Sequence, residues 1–183
     1  MTDETMIVLV TGTPGTGKST VSEILKNKLK IPLLGVNELV VKEHLYTGVD
    51  EDRGYKVVDL DAMCLKLNEV IENLEGGSLI VEGHLSHYFE GADLVIVLRA
   101  RLDVLKKRLK TRGWSDSKIQ ENAEAEALDI CTFEANEIYG DRVNEVDTSD
   151  LRPEEVSDIL VDIISGKKHF PVGNVDFLED MLL

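Results

Sequence analysis

Apolar and polar positions along this chain recur in two periods. Met6–Thr11 (MIVLVT) is almost uninterruptedly apolar, which predicts a strand covered on both faces. Lys18–Leu29 follows with Val21, Leu25 and Leu29 spaced by four, a helical spacing. Ile31–Leu34 predicts a short strand and Asn37–Leu45 a short helix, while Thr47–Tyr55 (TGVDEDRGY) is polar, bears glycines and reads as a mobile segment. Asp59–Leu74 predicts a helix with Met63, Leu67, Val70, Ile71 and Leu74 on one side, stopped by Gly76-Gly77. Ser78–Val81 and Asp93–Leu98 are two more buried-strand patterns, and Arg101–Lys110 is a helix broken after by Gly113.

Asp116–Tyr139 predicts one long helix, with Ser115 as N-cap and Ile119, Ala123, Ala127, Ile130 and Ile138 facing inward. Arg142–Val146 is the last strand pattern, and Pro153 suits the first position of a final helix ending at Gly166. Lys167–Leu183 is a tail with two short apolar clusters. The alternation predicts an α/β fold: a five-stranded parallel sheet with helices on both faces. Ligands in such sheets bind outside the carboxyl ends of the strands. At 183 residues the chain is one domain with a sizeable core.

Charge narrows the partners. Asp plus Glu number 35 against 20 Lys plus Arg, a net charge of −15. Such a surface repels phosphate backbones, so stable direct nucleic-acid binding is not expected. It attracts a basic protein, or it serves solubility alone. Cys64 and Cys131 stand far apart and give no disulfide framework, as in a reducing compartment. The start MTDET lacks a basic stretch ahead of an apolar run, and no stretch approaches the ~18–20 apolar residues of a membrane span. A cytoplasmic location without membrane contact is expected.

Gly12-Thr13-Pro14-Gly15-Thr16-Gly17-Lys18-Ser19 matches G-x-x-x-x-G-K-[ST] in full, between a buried strand and an amphipathic helix. Glycines let backbone N–H groups approach a phosphate, and the helix N-terminus adds free donors and partial positive charge. Lys18 reaches the β/γ-phosphates, and the Ser19 hydroxyl ligands Mg²⁺. The D-x-x-G and N-K-x-D strings of switch GTPases are absent, and the length fits a small nucleoside or metabolite kinase.

Such a kinase needs an acid near the Mg²⁺, and Glu82, which follows the strand SLIV directly, would hold the ion through water. It needs arginines for the transferring phosphoryl group. Arg108 and Arg112 lie four apart on one helix face; the same face, with Lys106, Lys107 and Lys110, also fits a solvated basic surface. It needs an acceptor site, for which Asn37–Tyr55 is the candidate segment. His84, two residues past Glu82, suits a role beside the γ-phosphate, orienting or deprotonating water with an imidazole of pKa ~6.5, or else serves as a hydrogen-bond partner. His87 reads as structural.

Taken together, GTPGTGKST, the VEGH loop, VLRA…LKKRLKTRGWSDSKIQENAEAE and the TSDLRPEEV turn resemble the nuclear-type adenylate kinase family, also described as the coilin-interacting nuclear ATPase, over roughly residues 6–165. The run from the arginines through RGW to IQEN makes the match specific. The resemblance implies a short-lid nucleoside monophosphate kinase: a kinase domain over 1–166, with an acceptor-binding segment at about 35–57 and a lid at about 111–121, and a tail over 167–183. It implies adenylate kinase activity (ATP + AMP giving 2 ADP), ATPase activity, and assistance to small-ribosomal-subunit maturation through a basic protein of that subunit.

By motif position, Gly12, Gly15, Thr16, Gly17, Lys18, Ser19 and Thr20 would hold ATP, and Arg112 would be the lid arginine on its phosphates. His84 would occupy the family's D-x-H position, with Glu82 as its acid, and the turn at Leu151–Arg152 would pass the adenine. The family's acceptor helix carries an arginine after an apolar pair; here Leu39-Val40-Val41-Lys42 places a lysine one position on, without the bidentate fork. The D-G-F-P-R string of ordinary adenylate kinases is replaced by EGHLSHYF. Asp50-Glu51-Asp52 and Glu121–Glu126 are candidate acidic patches for the basic partner. Two other readings remain: an ATP-driven assembly factor with incidental kinase activity, and a small-metabolite kinase with Asn37–Tyr55 as an alcohol site.

Overall fold

Five parallel strands form the central sheet of the computed structural model, which describes residues 5–51, 54–74 and 76–181. In chain order they are β1 (Ile7–Thr11), β2 (Leu33–Gly35), β5 (Leu79–Glu82), β6 (Leu94–Arg99) and β7 (Val143–Asp147), and across the sheet they run β2-β5-β1-β6-β7. Registers such as Ile7↔Leu79, Val8↔Leu94 and Leu33↔Ile80 pair them. Asp52, part of an acidic patch named above, lies outside the described residues, as do Met1–Glu4, Arg53, Glu75 and the last two residues of the tail, Leu182 and Leu183.

The strands are apolar at successive positions because each covers two cores. Ile7, Leu9, Val81 and Val95 face α2 (Val36–Lys42), α3 (Leu60–Glu72) and α6 (Ile130–Tyr139), where Met63, Leu67 and Ala135 are fully buried. Val8, Val10, Ile80 and Ile96 face α1 (Lys18–Leu29) and α7 (Pro153–Ile164), meeting Leu25 and Leu160. Truncating Leu25 or Leu160 to alanine would cost about 2–5 kcal/mol. Asp59 caps α3 by accepting from the Ala62 N–H at 3.0 Å, and the Arg152 N–H donates to Glu155 at 2.9 Å where Pro153 opens α7.

Three features depart from the sequence reading. The long helix expected over Asp116–Tyr139 is two: α5 (Asp116–Ala127) and α6, separated by Asp129 at φ 53°. Aspartate tolerates this left-handed conformation better than most residues, and here its carboxylate pairs with the buried Arg99 guanidinium. The apolar spacing runs through the break, so periodicity could not see a one-residue turn. Next, the polar stretch Thr47–Tyr55 lies within an antiparallel hairpin: β3 (Tyr46–Val49) takes in its start and β4 (Lys56–Val58) follows its end. Finally, the tail docks: the Phe170 N–H donates to Asn144 at 2.8 Å, the Gly173 N–H to Glu145 at 3.1 Å, and Phe177 is buried. α4 (Leu102–Thr111) meets α5 at a corner centred on Arg112–Ser115. Among the described residues no helix is long and apolar enough to cross a membrane.

Candidate active site

The phosphate loop joins the carboxyl end of β1 to the N-terminus of α1. Gly12 has φ 132°, and a Cβ there would lie 2.3 Å from the Leu98 carbonyl oxygen, so no larger residue fits without moving backbone. The Lys18 ammonium donates to the carbonyls of Gly12 at 2.7 Å and Thr13 at 3.0 Å. Burial lowers its pKa to about 8, against the pull of nearby groups including Glu82 and Glu126. The ammonium is held in the loop curve, ready to exchange backbone carbonyls for phosphate oxygens.

Ser19 and Thr20 are exposed at the start of α1. The Ser19 hydroxyl donates toward both Glu82 oxygens, at 3.2 and 3.3 Å. A hydroxyl and a carboxylate side by side at a phosphate loop are the hard oxygen donors that Mg²⁺ takes alongside substrate phosphates and water, so these residues fit that ion. Behind Glu82, Gly83 leaves room for α2: a Cβ on it would lie 2.8 Å from the Val36 Cβ.

One cavity of about 740 Å³ extends from Gly15, Gly17, Lys18 and Ser19 past Glu82 and His84 to Asn37, Val40, Val41 and the β3–β4 hairpin, with Arg112, Trp114 and Lys118 on its other wall. That is the size range of small-molecule sites. His84 lines it in the neutral state, because burial first, then the neighbouring Lys18 and His87, lowers its pKa to about 4. His87 is fully buried and structural: its Nδ1 lies 2.8 Å from the Thr11 hydroxyl and its Nε2 3.0 Å from Glu134. Burial lowers its pKa against the pull of Glu134, so the neutral ring donates from Nε2 to Glu134 and accepts from Thr11 at Nδ1.

The two arginines part company. Arg112 lines the cavity, but the Arg108 guanidinium braces the phosphate loop from behind, donating to the Gly15 carbonyl at 3.3 Å and to Thr148 at 3.2 Å. Arg152 is exposed at the α7 terminus, its Nε 3.2 Å from Glu155, and is absent from the cavity wall. Lys42, at the end of α2, has an 81% exposed side chain beside Glu43 and is not among the residues that line the cavity.

The cations on the cavity wall across from the phosphate loop are others. Lys118 has its ammonium 4.1 Å from the ring centroids of both Tyr55 and Trp114, and Lys56 lies 4.4 Å from that of Tyr46. Sequence reasoning missed these lysines. Lys118 sits inside RGWSDSK, so helical spacing from Trp114 offered a signal, but its partner Tyr55 is remote in sequence.

Comparisons with known proteins agree with this geometry. The AAA domain family matches residues 8–129. A protein of Methanothermobacter thermautotrophicus named "Putative adenylate kinase" is 45% identical over 93% of this chain and 96% of its own length. A protein of the same name from Methanosarcina acetivorans is 40% identical over 96% of this chain and 100% of its own. In structure the chain is similar to shikimate kinase from Acinetobacter baumannii in complex with shikimate, with a TM-score of 0.63, 16% identity and coverage of 91% of this chain and 96% of that one. It is also similar to thymidylate kinase from Candida albicans, with a TM-score of 0.57, 17% identity and coverage of 88% and 92%. At those identities the likeness concerns the fold: a P-loop kinase fold on a five-stranded parallel sheet.

Proposed function

The chain belongs to the AAA domain family and, with its archaeal relatives, to a family of P-loop kinases, and from that premise we propose that it is a Mg²⁺-dependent adenylate kinase, converting ATP and AMP to two ADP. The observation that carries the reading is the single cavity joining a complete phosphate loop to an acceptor wall bearing Lys56 and Lys118. A phosphate oxygen of AMP attacks the γ-phosphorus, the bond to the β–γ bridging oxygen breaks, and ADP leaves. The acceptor oxygen is already anionic, so no base is required, and catalysis is positioning and charge neutralisation.

Lys18 supplies charge to the β/γ-phosphates, and its buried site strengthens that attraction. Arg112, at the α4–α5 corner, meets the transferring group from the other side. Arg108 holds the loop in shape. Ser19 and Glu82 would hold Mg²⁺, which would neutralise charge on the β- and γ-phosphates. Lys118 and Lys56, held against aromatic rings, would take the acceptor phosphate.

The proposal includes an ATPase activity. It is supported by His84, neutral on the cavity wall beside Glu82, where the ring can accept a proton or hydrogen bond from water. It also includes a cytoplasmic role in small-subunit maturation with a basic ribosomal protein as partner, supported by the net charge of −15 and the resemblance above. One paired assay tests the whole: ADP formed from ATP alone, from ATP plus AMP, and from ATP plus the basic ribosomal protein. ADP formation that depends on AMP is expected. Equal ADP with and without AMP would sink the kinase reading, and an unchanged rate with the protein would sink the partner.

A further inference from the structure

Behind the phosphate loop lies a buried ionic cluster that none of the roles above uses. Arg99, at the end of β6, is 1% exposed. Its Nε donates to Glu126 at 2.8 Å, and its other nitrogens donate to the Glu126 carbonyl at 2.9 Å, to Thr132 at 3.2 Å, and to Glu145 and Asp129. Glu126, also 1% exposed, uses Oε1 for Arg99 and for the Ala100 N–H at 2.9 Å. Its Oε2 accepts from the hydroxyl of Thr13, the second residue of the phosphate loop, at 2.5 Å.

Thr13 is tied at both ends: its hydroxyl to Glu126, its carbonyl to the Lys18 ammonium. Glu126 in turn sits on α5, the helix that presents Lys118 and Asn122 to the cavity. One carboxylate therefore touches the loop that holds the donor's lysine and belongs to the helix that carries the acceptor's lysine. Arg99 holds Glu126 through two bonds from separate nitrogens, one to its carboxylate and one to its backbone carbonyl, and the Phe177 ring of the docked tail lies 5.4 Å from the guanidinium.

We propose that Glu126, held by Arg99, is a positioning residue for phosphoryl transfer: through Thr13 it sets the phosphate loop relative to the α5 wall. The inference rests on the kinase reading for its choice of reaction. Small displacements of reacting groups cost rate more than they cost ground-state binding, so the tie should register in kcat.

The test compares Thr13→Val, which keeps shape and removes the hydroxyl, with Thr13→Ser, which keeps the hydroxyl. Thermal midpoint, ATP Kd by calorimetry, and kcat are measured on each. Thr13→Val is expected to lower kcat about tenfold while changing ATP Kd less than about threefold, and Thr13→Ser to return kcat to within about twofold of the unmodified protein. Glu126→Ala, which removes the acceptor, combined with Thr13→Val should cost no more than Glu126→Ala alone, since both remove the same bond. If Glu126→Ala does not fold, the valine and serine pair decides alone. An unchanged kcat in Thr13→Val, or a serine variant as slow as the valine variant, overturns the proposal. So does a lowered midpoint with unchanged kcat, since the cluster is then structural only. An unmodified protein that turns over ATP without AMP dependence defeats the kinase reading instead. The same variants, compared on ATP alone, still test the tie.

Discussion

The phosphate loop and the acceptor wall face each other across one cavity and are built in opposite ways. The loop is eight contiguous residues whose shape is set by backbone: Gly12 against the Leu98 carbonyl, Lys18 on two loop carbonyls, Arg108 on Gly15. The acceptor wall is assembled from side chains of three separate stretches, the hairpin, the Arg112–Lys118 corner and α2. Its cations are held by aromatic rings. Sites made of backbone donors must be written locally, because only neighbouring residues can turn successive N–H groups inward. Sites made of side chains need only converge, and convergence leaves no fixed spacing.

This contrast predicts large effects on the loop side and graded ones across the cavity. Lys18→Ala should lower kcat by about 10²-fold or more, because charge on the transferring phosphates is lost in a buried site. The measurement is steady-state turnover beside a melting curve, and wild-type turnover in a folded mutant would break the loop side of the comparison. The same lysine should make ATP binding sensitive to base. With its pKa near 8 in the free protein, it is charged below that pH and loses its proton above it. ATP Kd should therefore rise up to about tenfold per pH unit above pH 8, with proton uptake visible by calorimetry in buffers of different ionisation enthalpy. An affinity flat from pH 7 to 9.5 would contradict the buried site.

Arg112→Ala should lower kcat about tenfold and leave ATP Kd within about threefold, since a corner residue engages most fully as charge develops. A raised KM with intact kcat would instead make it a ground-state contact. Lys118→Ala should raise the acceptor KM a few-fold, about what one partly exposed cation–π-held charge contributes, and leave the ATP KM alone. Trp114 is the single tryptophan, so its emission should change in this variant and on acceptor binding in the unmodified protein. An unchanged acceptor KM would remove Lys118 from the wall.

The smallest effect is an expected flatness. His84 is neutral above about pH 4, so ATP turnover should show no inflection near 6.5. Stability should respond there instead. The unfolded imidazole takes a proton near pH 6.5 and the folded one does not until about 4, so stability is lost as pH falls through that window. Turnover that halves at pH 6.5 in a fully folded sample would contradict a buried neutral ring.

The same contrast explains what the sequence could show. β1, the loop and α1 follow from an apolar run, a complete motif and a four-residue spacing, and α1 occupies the residues that spacing predicts. The turn at Asp129 was hidden because its cause is Arg99, thirty residues earlier, and three carboxylates that converge on it only after folding. The hairpin was hidden because β3 and β4 are short and mostly exposed, with no apolar alternation to mark them. The docking of the tail depends on Asn144 and Glu145, polar side chains buried in β7, where strand patterns lead one to expect apolar residues. Lys42 was legible as a departure, a lysine one position beyond the family's arginine, and the structure leaves its side chain 81% exposed.

Gly83 bears on how the cavity wall is seated. Its missing side chain lets the start of α2 rest against the loop that follows Glu82, and a single methyl there would already press on Val36. That contact packs the first turn of α2 directly against the loop beside Glu82. Farther along, the chain leaves α2 through His44 at φ 56° and enters the hairpin. The two sides of this wall are therefore seated differently: the start of α2 rests on backbone without a side chain between, whereas the hairpin brings Tyr55 and Lys56 to the cavity by way of a left-handed turn.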